Sequence, residues 1–397
     1  MRIAFFADSH AGYRSYRRTT PDGTNCREQD GYDSLGEIVS KIIEEHEKKK
    51  IDLVLHGGDL FHSSVPSVKS IYNVQKQLTR LALALQCPII IVCGNHEYND
   101  NISALPSTAV LCALEPLGVI PIYEPVKKVR VGDVMVTSIT HSGALLGEDL
   151  YRHKEATPVK GMFNICLSHG AAWDENNILK RCMDSPRELI LPKKLVTSSA
   201  YDTKFDLFTL GHIHSRLNMN SDGSCFYAGS ALRRGFSDSP GRRGWTLLTI
   251  DGDGGFSRED FDIWQRPQED VKINVSGLSA SEGIEKVEES LKNLNREGAI
   301  IRHTIVCDDN TLRKSVVEGV ARLRPLVKDA LWWQIKSNLE GGKKEDTRSQ
   351  EKIRSEGGLL EQYKNFLENR SEVQKIKSKS VSHLETAIEK TLGETNG

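Results

Sequence analysis

The stretch Ile3-Ala4-Phe5-Phe6-Ala7-Asp8-Ser9-His10 decides the fold class of this chain. Five consecutive apolar residues end at an aspartate, and a histidine follows two residues later. A short, uninterrupted apolar run is typical of a strand that is covered on both faces of its sheet. The run is too short for a membrane span or for the core of a signal peptide. The sequence therefore predicts a buried strand with chemically active side chains at its carboxyl end.

The same arrangement, an apolar run followed by Asp, Asn or His, occurs at four further places along the chain. The polar groups that follow these later runs are Gly57-Gly58-Asp59, Gly94-Asn95-His96, Ser168-His169-Gly170 and Gly211-His212-Ile213-His214. The carboxyl ends of adjacent parallel strands meet at one edge of an α/β sheet, where such proteins bind their ligands. We therefore expect these five loops to form a single pocket.

The order of the predicted elements indicates the domain organisation. Apolar strand runs alternate with segments of helical spacing at 31–50 and 66–86, which favours an α/β fold. We expect a two-sheet α/β sandwich, with helices outside, over residues 1–265. A βαβαβ pattern predicts a small α/β cap domain over 270–338. Beyond it we expect a charged linker over 339–358 and then a C-terminal helical tail, made of the amphipathic helices of residues 359–397.

Composition limits the classes of function. The 397 residues include 53 Lys and Arg against 54 Asp and Glu, which gives a formal net charge of −1. This balance excludes a generally basic nucleic-acid coat protein, although local basic patches remain compatible with it. A hydrophobic content of 38% and a charged content of 27% are typical of a folded soluble protein. We expect a cytoplasmic protein with no membrane contact.

The residue types in the five loops favour two metal ions. Imidazole binds Mn, Fe, Zn or Ni, and carboxylate and amide oxygens bind harder ions. In Asp8-x-His10 and His212-x-His214, side chains two positions apart on an extended backbone share one face and can enter one site. Each motif alone also fits a turn or a coincidence within a strand. Their joint occurrence after five strands favours a dimetal site, in which one carboxylate bridges the ions.

Taken together, these motifs resemble a known superfamily. The order Asp-x-His, Gly-Gly-Asp, Gly-Asn-His, His-Gly and Gly-His-x-His resembles the calcineurin-like metallophosphoesterases. Within that superfamily, the run from His56 to His62 with the following Pro66-Ser67 is similar to the DNA double-strand-break repair nucleases of the SbcD and Mre-eleven type. The run from Ala228 to Ser237 is similar to them as well. The resemblance covers residues 1–265 by motif, and the cap and tail more loosely.

The resemblance implies a ligand set for each of two divalent ions, for which manganese is expected. The first ion would be held by Asp8, His10, Asp59 and His214. The second would be held by Asp59, Asn95, His169 and His212, with Asp59 bridging the two ions.

The resemblance also implies two catalytic histidines. His96 would protonate the leaving oxygen or stabilise the transition state, and His62 would lie near the scissile phosphate. One departure from the family pattern is Glu97, where the family usually has aspartate. The substitution keeps a carboxylate beside the ligands but lengthens its reach.

The leading hypothesis is a manganese-dependent nuclease subunit of a DNA double-strand-break repair complex, with 3′-to-5′ exonuclease and single-strand endonuclease activity. The alternative is a metallophosphoesterase that acts on cyclic nucleotides, phosphoproteins or small phosphate esters, whose members commonly lack the cap and tail. A third class, a non-catalytic scaffold, would be expected to have lost ligands, whereas every motif position is filled here. A dimetal pocket supplies positive charge that the residue count omits, so the neutral composition is compatible with a nuclease.

The candidate partners come from local basic clusters and from the same resemblance. The candidate DNA contacts are Arg14, Arg17, Arg18, Lys127, Lys128, Arg233 and Arg234, although each cluster also fits a solvated surface. The resemblance implies that residues 359–397 dock on an SMC-like coiled-coil ATPase of the SbcC type, the alternative being that they pack on their own domain. It also implies a homodimer through 66–86 and 103–117, segments that could equally be ordinary core. A DNA-repair role would place the protein at the nucleoid.

Overall fold

The computed structural model describes residues 1–98, 105–172, 191, 193–196, 203–294 and 296–339. The strands of the first sheet are β1 (Arg2–Phe6), β2 (Leu53–His56), β3 (Ile89–Val92), β4 (Val119–Ile122), β11 (Gly244–Ile250) and β12 (Phe256–Asp262). Those of the second are β5 (Val126–Val131), β6 (Val134–Ile139), β7 (Phe163–His169), β8 (Leu207–Gly211), β9 (Leu217–Asn218) and β10 (Cys225–Tyr227). The third contains β13 (Gln268–Asn274), β14 (Ile300–Cys307) and β15 (Trp332–Leu339). The helices are α1 (Cys26–Lys48), α2 (Val68–Leu85), α3 (His141–Ala144), α4 (Lys193–Val196), α5 (Ala280–Asn293) and α6 (Asn310–Val320).

The two larger sheets are mixed and have six strands each. The first runs in the order β12-β11-β1-β2-β3-β4, in which β1 to β4 are parallel and β11 is antiparallel to β1. The second runs in the order β5-β6-β7-β8-β10-β9, in which β6, β7, β8 and β10 are parallel. The small sheet has the order β13-β14-β15, with α5 and α6 in its connections. The predicted α/β fold with two main sheets is confirmed.

Strand β1 is buried on both faces, as its apolar run predicts. Side chains alternate across a strand, so neighbouring residues of β1 enter different cores. Phe6 packs in the cluster that contains Leu35 of α1 and Leu78 of α2. Phe5 packs between the two sheets, where its ring meets that of Phe226 edge to face at a centroid distance of 5.7 Å. The sheets therefore form a sandwich, with helices on the outer face of the first sheet.

The two long helices begin at capped positions. The Asn25 side chain accepts a hydrogen bond from the backbone N–H of Arg27, and that of Ser67 accepts one from the N–H of Ser70. Such caps satisfy amide groups that have no partner inside the helix. Helix α2 ends where Gln86 adopts a left-handed conformation with φ of 50°. Both predicted helical segments are confirmed, although α1 begins earlier than its apolar periodicity indicates.

Four strands at sheet edges were not predicted: β4, β5, β9 and β12. In β5 and β12 polar side chains interrupt the apolar pattern, as is usual where one row of backbone groups lies at a sheet edge. Strand β5 has only Val126 fully buried, and β12 has no buried residue. The segment expected to be helical at 103–117 contains a 3₁₀ helix over Ser107–Leu117, and residues 103–104 lie outside the described chain.

The described chain divides into two compact units. The first comprises Met1–Val271, Ser290–His303 and Arg324–Gln334, and the second comprises Lys272–Glu289, Thr304–Leu323 and the described residues from Ile335 onward. The predicted linker and helical tail lie outside the described residues, apart from the start of the linker at residue 339. None of the described helices combines the length and the apolar character that a bilayer span requires.

Candidate metal centre

The carboxyl ends of parallel strands deliver the predicted ligands to one place. Beyond the end of β1 the chain stays paired with the loop after β2: the N–H of Asp8 donates to the carbonyl of Gly58, and that of His10 donates to the carbonyl of Asp59. The Asp8 carboxylate in turn accepts a hydrogen bond of 3.0 Å from the N–H of His212, which follows β8 in the second sheet. The two sheets thereby place their active loops side by side. The residues brought together are Asp8, His10, Asp59, Asn95, His169, His212 and His214.

The first group of donor atoms surrounds the ring of His10. Its Nε2 lies 3.0 Å from the Nε2 of His214, and Asp8 offers a carboxylate oxygen within 4.8 Å of both side chains. Two ligand atoms that each lie about 2.1 Å from one ion, at about a right angle, are about 3 Å apart. The spacing of these nitrogens fits that geometry.

The second group surrounds the amide of Asn95. Its Oδ1 lies 3.0 Å from the Nε2 of His169 and 3.2 Å from the Nδ1 of His212. Asp59 lies between the two groups, because its Oδ2 is 3.5 Å from the Nε2 of His169 and 3.8 Å from the Nε2 of His10. That oxygen therefore occupies the position from which a carboxylate can bridge two ions.

Hydrogen bonds outside the two groups set the tautomers of the histidines. The Nδ1 of His169 donates to the carbonyl of Gly57 over 2.8 Å, and the Nδ1 of His214 donates to the Asp238 carboxylate over 2.9 Å. In each ring the Nε2 lone pair is left to point into the site, as it does in a metal-binding histidine with an outer partner. Lone pairs and carboxylate oxygens that converge in a buried space need a cation between them, and the residues present fit two divalent ions.

Backbone strain is concentrated in the same loops. The φ angles of Asp8, His10, Asp59 and His212 are 51°, 44°, 53° and 95°, in the left-handed region that non-glycine residues seldom adopt. Such conformations persist where the surrounding structure imposes them, and they cluster at functional sites. Gly94 packs against the bridging carboxylate. A Cβ at this position would lie 2.1 Å from the Oδ1 of Asp59, so only glycine allows the two loops to come this close.

Burial favours the neutral form of His10 and His62, whereas at His169 the charge of Asp59 outweighs burial and raises the pKa to about 9. Burial lowers the pKa of His10 well below its ordinary value, and it lowers the pKa of His62 to about 4, with the charges of His96 and Arg234 adding to the effect. Neutral imidazole is the form that binds a cation. The burial that removes these rings from water therefore also prepares His10 to bind a metal.

The two predicted catalytic histidines stack beside the metal groups. The ring centroids of His62 and His96 are 4.9 Å apart, and the Nδ1 of His96 donates to the carbonyl of His62 over 3.0 Å. The backbone N–H of His96 donates to the Oδ1 of Asp59, and its Nε2 lies 4.0 Å from the Oδ2 of that residue. The His96 side chain is 30% exposed, so it can reach a substrate oxygen in the pocket.

Glu97 is fully buried and uses both carboxylate oxygens on backbone amides. Its Oε1 accepts from the N–H groups of Leu60 (2.8 Å) and Phe61 (3.0 Å), and its Oε2 accepts from the N–H of Gly94 (2.7 Å). The longer reach of glutamate thus joins the loop that follows Asp59 to the loop that carries Asn95. Burial, with the charge of Asp59 as the second cause, raises the pKa of this carboxyl to about 7.

Two further residues at the site belong to none of the motifs that predicted the ligands. Asp238 lies 24 residues beyond His214 in a different loop, and nothing in the sequence connects the two. His141 lies beside the second group, at ring-centroid distances of 6.4 Å from His169 and 6.3 Å from His212. A signal for His141 was available, because it closely follows the apolar run Val134–Ile139.

The candidate DNA contacts differ in their distance from the metal ligands and in their partners. Arg234 lines the pocket together with Asp59, His96 and His214. Arg14 forms an ion pair with Glu28, and Lys127 forms one with Glu124. Lys128 donates to the carbonyl of Lys154, and Arg233 donates to the carbonyl of Gln268. Arg17 and Arg18 are exposed.

The motif order, the paired sheets and the converging donors define a class of protein. The chain belongs to the calcineurin-like phosphoesterase family, whose characteristic sequence matches residues 1–216.

Curated relatives extend the similarity beyond that region. The DNA double-strand break repair protein Mre11 of Sulfurisphaera tokodaii is 24% identical over 356 residues, which cover 87% of this chain and 83% of that protein. Mre11 of Saccharolobus solfataricus is 27% identical over 84% of this chain and 82% of its own length. The SbcD component of the nuclease SbcCD from Staphylococcus epidermidis is 22% identical over 63% of this chain and 66% of its own. A crystal structure of a dimetal phosphatase from Danio rerio covers 62% of this chain and 91% of its own at 13% identity, with a TM-score of 0.38 that is too low to bear on the fold.

Proposed function

We propose that this chain is the nuclease subunit of a DNA double-strand-break repair complex. It hydrolyses phosphodiesters with two divalent ions, for which we favour manganese, as a 3′-to-5′ exonuclease on duplex DNA and an endonuclease on single strands. The observation that carries the proposal is the extent of the similarity to Mre11, which spans 87% of the chain, whereas the phosphoesterase family match ends at residue 216. A generic phosphoesterase would account for the shorter match alone.

The site has the parts that phosphodiester hydrolysis requires. Asp8, His10, Asp59 and His214 would hold one ion, and Asp59, Asn95, His169 and His212 would hold the other. When bound, two such ions lower the pKa of a water nucleophile and stabilise charge on the phosphoryl group. Asp59 and the histidines of the two ligand groups would hold the ions in fixed positions for a phosphate that binds between them.

The protein itself supplies the proton for the leaving group. Because the Nδ1 of His96 donates to the carbonyl of His62, the ring is held with Nε2 facing the pocket. A protonated Nε2 can donate to the departing oxygen, and such general acid catalysis is typically worth about 10²–10⁴-fold in rate. Stacking on His62 limits rotation of the ring.

Arg234 is the candidate DNA contact that the geometry favours. It lines the metal pocket, where a guanidinium can bind a backbone phosphate without reading sequence. DNA affinity that depends on phosphate contacts falls steeply with salt concentration. We expect Arg234→Ala to weaken binding of unrelated DNA sequences alike and to reduce the salt dependence by about one phosphate contact.

The decisive experiment compares two substrates. Purified protein is given Mn²⁺ and either linear duplex DNA, labelled at one end, or bis(4-nitrophenyl) phosphate, a small phosphodiester. We expect shortening of the duplex from its 3′ ends. Hydrolysis of the small ester without any cleavage of DNA would overturn the nuclease assignment in favour of a phosphoesterase for small substrates.

A matched control guards against a contaminating nuclease. Asp59→Asn removes the charge of the proposed bridging ligand and should abolish hydrolysis of both substrates. Asp253→Asn removes a carboxylate from an exposed position and should have no effect. Cleavage of DNA by both variants at equal rates would place the activity outside this site.

We further propose an SMC-like coiled-coil ATPase of the SbcC type as partner, docked on residues 359–397. The support is the relative from Staphylococcus epidermidis, which is named as one subunit of a nuclease with at least one other. Deletion of residues 358–397 should abolish co-purification with such an ATPase and spare Mn²⁺-dependent cleavage. Undiminished association of the shortened chain would exclude this docking site.

The proposed homodimer has support from the surface of α2. Val68, Tyr72 and Leu83 are 84%, 62% and 60% exposed, and their spacing places them along one side of the helix. A second copy of the chain would cover these apolar side chains. In sedimentation analysis Tyr72→Glu should shift the protein to monomer, whereas Ser257→Glu, at an exposed position of β12, should not.

A further inference from the structure

Strand β6 contributes a side chain to the edge that carries the metal ligands. It is parallel to β7, and β7 is parallel to β8. The ends of β7 and β8 deliver His169 and His212, and the end of β6 delivers His141 in the same way. The three imidazoles therefore lie along one edge of the second sheet, with His141 in no family motif.

The turn that carries His141 is held firmly. The Oγ1 of Thr140 accepts from the N–H of Gly143, and the N–H of His141 donates to the carbonyl of Cys93, which directly precedes the Asn95 loop. Gly143 is packed so closely that a Cβ would lie 2.0 Å from the carbonyl oxygen of Pro125. The backbone of His141 is therefore tied to the loop that carries a proposed metal ligand.

The fold makes no visible use of the His141 ring. Its Nδ1 is buried without a hydrogen-bond partner among the described residues, which is a cost that a structural histidine would avoid. The ring as a whole is half-buried, and its Nε2 is not among the buried atoms that lack a partner. Since no hydrogen bond to the described protein occupies Nε2, that nitrogen can bind a molecule held beside His169 and His212.

His141 differs from His169, a proposed ligand of the second ion, in the surroundings of its Nδ1. His169 has an acceptor behind its Nδ1 that turns its lone pair inward, whereas His141 has none among the described residues. Its ring centroid lies 6.4 Å from that of His169 and 6.3 Å from that of His212, beside the second group. A histidine near an ion but outside its ligand set is suited to contact what the ion binds.

We propose that His141 is a substrate-contacting residue, whose Nε2–H donates to a non-bridging oxygen of the scissile phosphate on the side of the second ion. The proposal rests on the proposed phosphodiester hydrolysis, but not on DNA as the substrate. The contact would offset negative charge on the phosphate, and no proton needs to be transferred. Loss of one hydrogen bond to a charged group typically reduces kcat/KM about ten- to hundredfold.

The test compares three variants of the full chain with the wild type on bis(4-nitrophenyl) phosphate and Mn²⁺. His141→Ala removes the contact, whereas His141→Gln places an amide nitrogen near the position of Nε2 and His141→Asn places one near Nδ1. We expect kcat/KM to fall about ten- to hundredfold in the alanine and asparagine variants and to recover in the glutamine variant. His153→Gln, at an exposed position of the same segment, is the control and should behave as wild type.

Two binding measurements complete the test without requiring turnover. Calorimetric titration with Mn²⁺ should give the same affinity in His141→Ala as in the wild type, because the ring is not a ligand. Titration of the Mn²⁺-loaded protein with inorganic phosphate should show weaker binding in His141→Ala. Equal phosphate affinity and kcat/KM in both proteins would overturn the proposal, as would loss of Mn²⁺ affinity, which would make the ring a ligand. A wild type that hydrolyses neither DNA nor the small ester refutes the proposed function, and the phosphate titration still decides the role of His141.

Discussion

The Nδ1 of His214 lies 2.9 Å from a carboxylate oxygen of Asp238, and this contact directs the opposite nitrogen of the ring toward His10. The second oxygen of Asp238 accepts the N–H of Arg234 over 2.8 Å. Burial would raise the pKa of Asp238, but the hydrogen bond from His214 and the charges around it hold that pKa at about 2. Asp238 therefore stays ionised and couples the loop that carries Arg234 to a proposed metal ligand.

Asp238→Ala should reduce the affinity for the first ion. Loss of the carboxylate frees the His214 ring to rotate and to change tautomer, and removal of an outer partner of this kind typically costs about 10–100-fold in metal affinity. Asp238→Asn keeps an acceptor oxygen and should lose less. Titration with Mn²⁺ measures both, with Asp253→Asn, at an exposed position, as the control. Unchanged Mn²⁺ affinity in Asp238→Ala would show that His214 needs no such support.

Glu97→Gln should weaken the link between the loop that follows Asp59 and the loop that carries Asn95. An amide offers one acceptor in place of two, so the N–H of Gly94 or those of Leu60 and Phe61 must lose their partner. An unsatisfied buried amide costs about 1–3 kcal/mol, and we expect that loss in the free energy of unfolding.

The same substitution should also weaken Mn²⁺ binding, because both loops carry proposed ligands. Urea denaturation and calorimetric titration give the two quantities independently. Glu155→Gln, at an exposed position, serves as the control and should match the wild type in both. A Glu97→Gln protein that unfolds at the wild-type urea concentration would contradict the proposed tie between the loops.

Sequence alone predicts those parts of the site that depend on strand order. Asp8, Asp59 and His169 each follow an apolar run, and the convergence of parallel strands then places them together without knowledge of any contact. The role of Glu97 could not be predicted in this way, because its partners are backbone amides, which look alike in every sequence. The same holds for Asp238, since the folding of an irregular loop back onto His214 leaves no periodic pattern.

The fold shows the same division between buried and edge elements. Strand β1 is covered on both faces, so its apolar run is continuous and predicts it well. Strand β5 reads Val-Lys-Lys-Val-Arg-Val at the edge of the second sheet, and its pairing with β6 depends on a turn at Gly132. Pairing of this kind is set by tertiary context more than by composition.

His303 should make stability depend on pH independently of the metal site. Its ring is buried, the Nε1–H of Trp333 donates to its Nδ1 over 3.0 Å, and Ser290 lies 3.0 Å from its Nε2. Burial lowers the pKa of this ring to about 4 from 6.5. The folded state therefore binds fewer protons than the unfolded state between these values, so stability is complete above pH 6.5 and is lost as the pH falls toward 4.

The free energy of unfolding should fall by about 3 kcal/mol over that window, since one pKa unit corresponds to about 1.4 kcal/mol. Urea denaturation of the metal-free protein at several pH values measures it, and His303→Gln should flatten the decline by that amount. Other buried histidines contribute equally to both proteins and cancel in the comparison. Curves for wild type and His303→Gln that run parallel from pH 7.5 to 4.5 would contradict the assignment, and His153→Gln should run parallel to the wild type.

His96→Asn separates the proton donor from the metal ligands. No described hydrogen bond joins the ring of His96 to a proposed metal ligand. Its backbone N–H, which donates to Asp59, is retained in the variant. Asparagine can still donate to the carbonyl of His62, but it cannot supply a proton to a leaving oxygen. Mn²⁺ affinity should therefore stay close to that of the wild type, while turnover of DNA falls about 10²–10⁴-fold.

The size of the fall should depend on the leaving group, because 4-nitrophenolate departs without protonation and a deoxyribose alkoxide does not. Equal losses on DNA and on bis(4-nitrophenyl) phosphate would indicate that His96 stabilises the phosphoryl charge, and unchanged turnover of both would remove it from the mechanism.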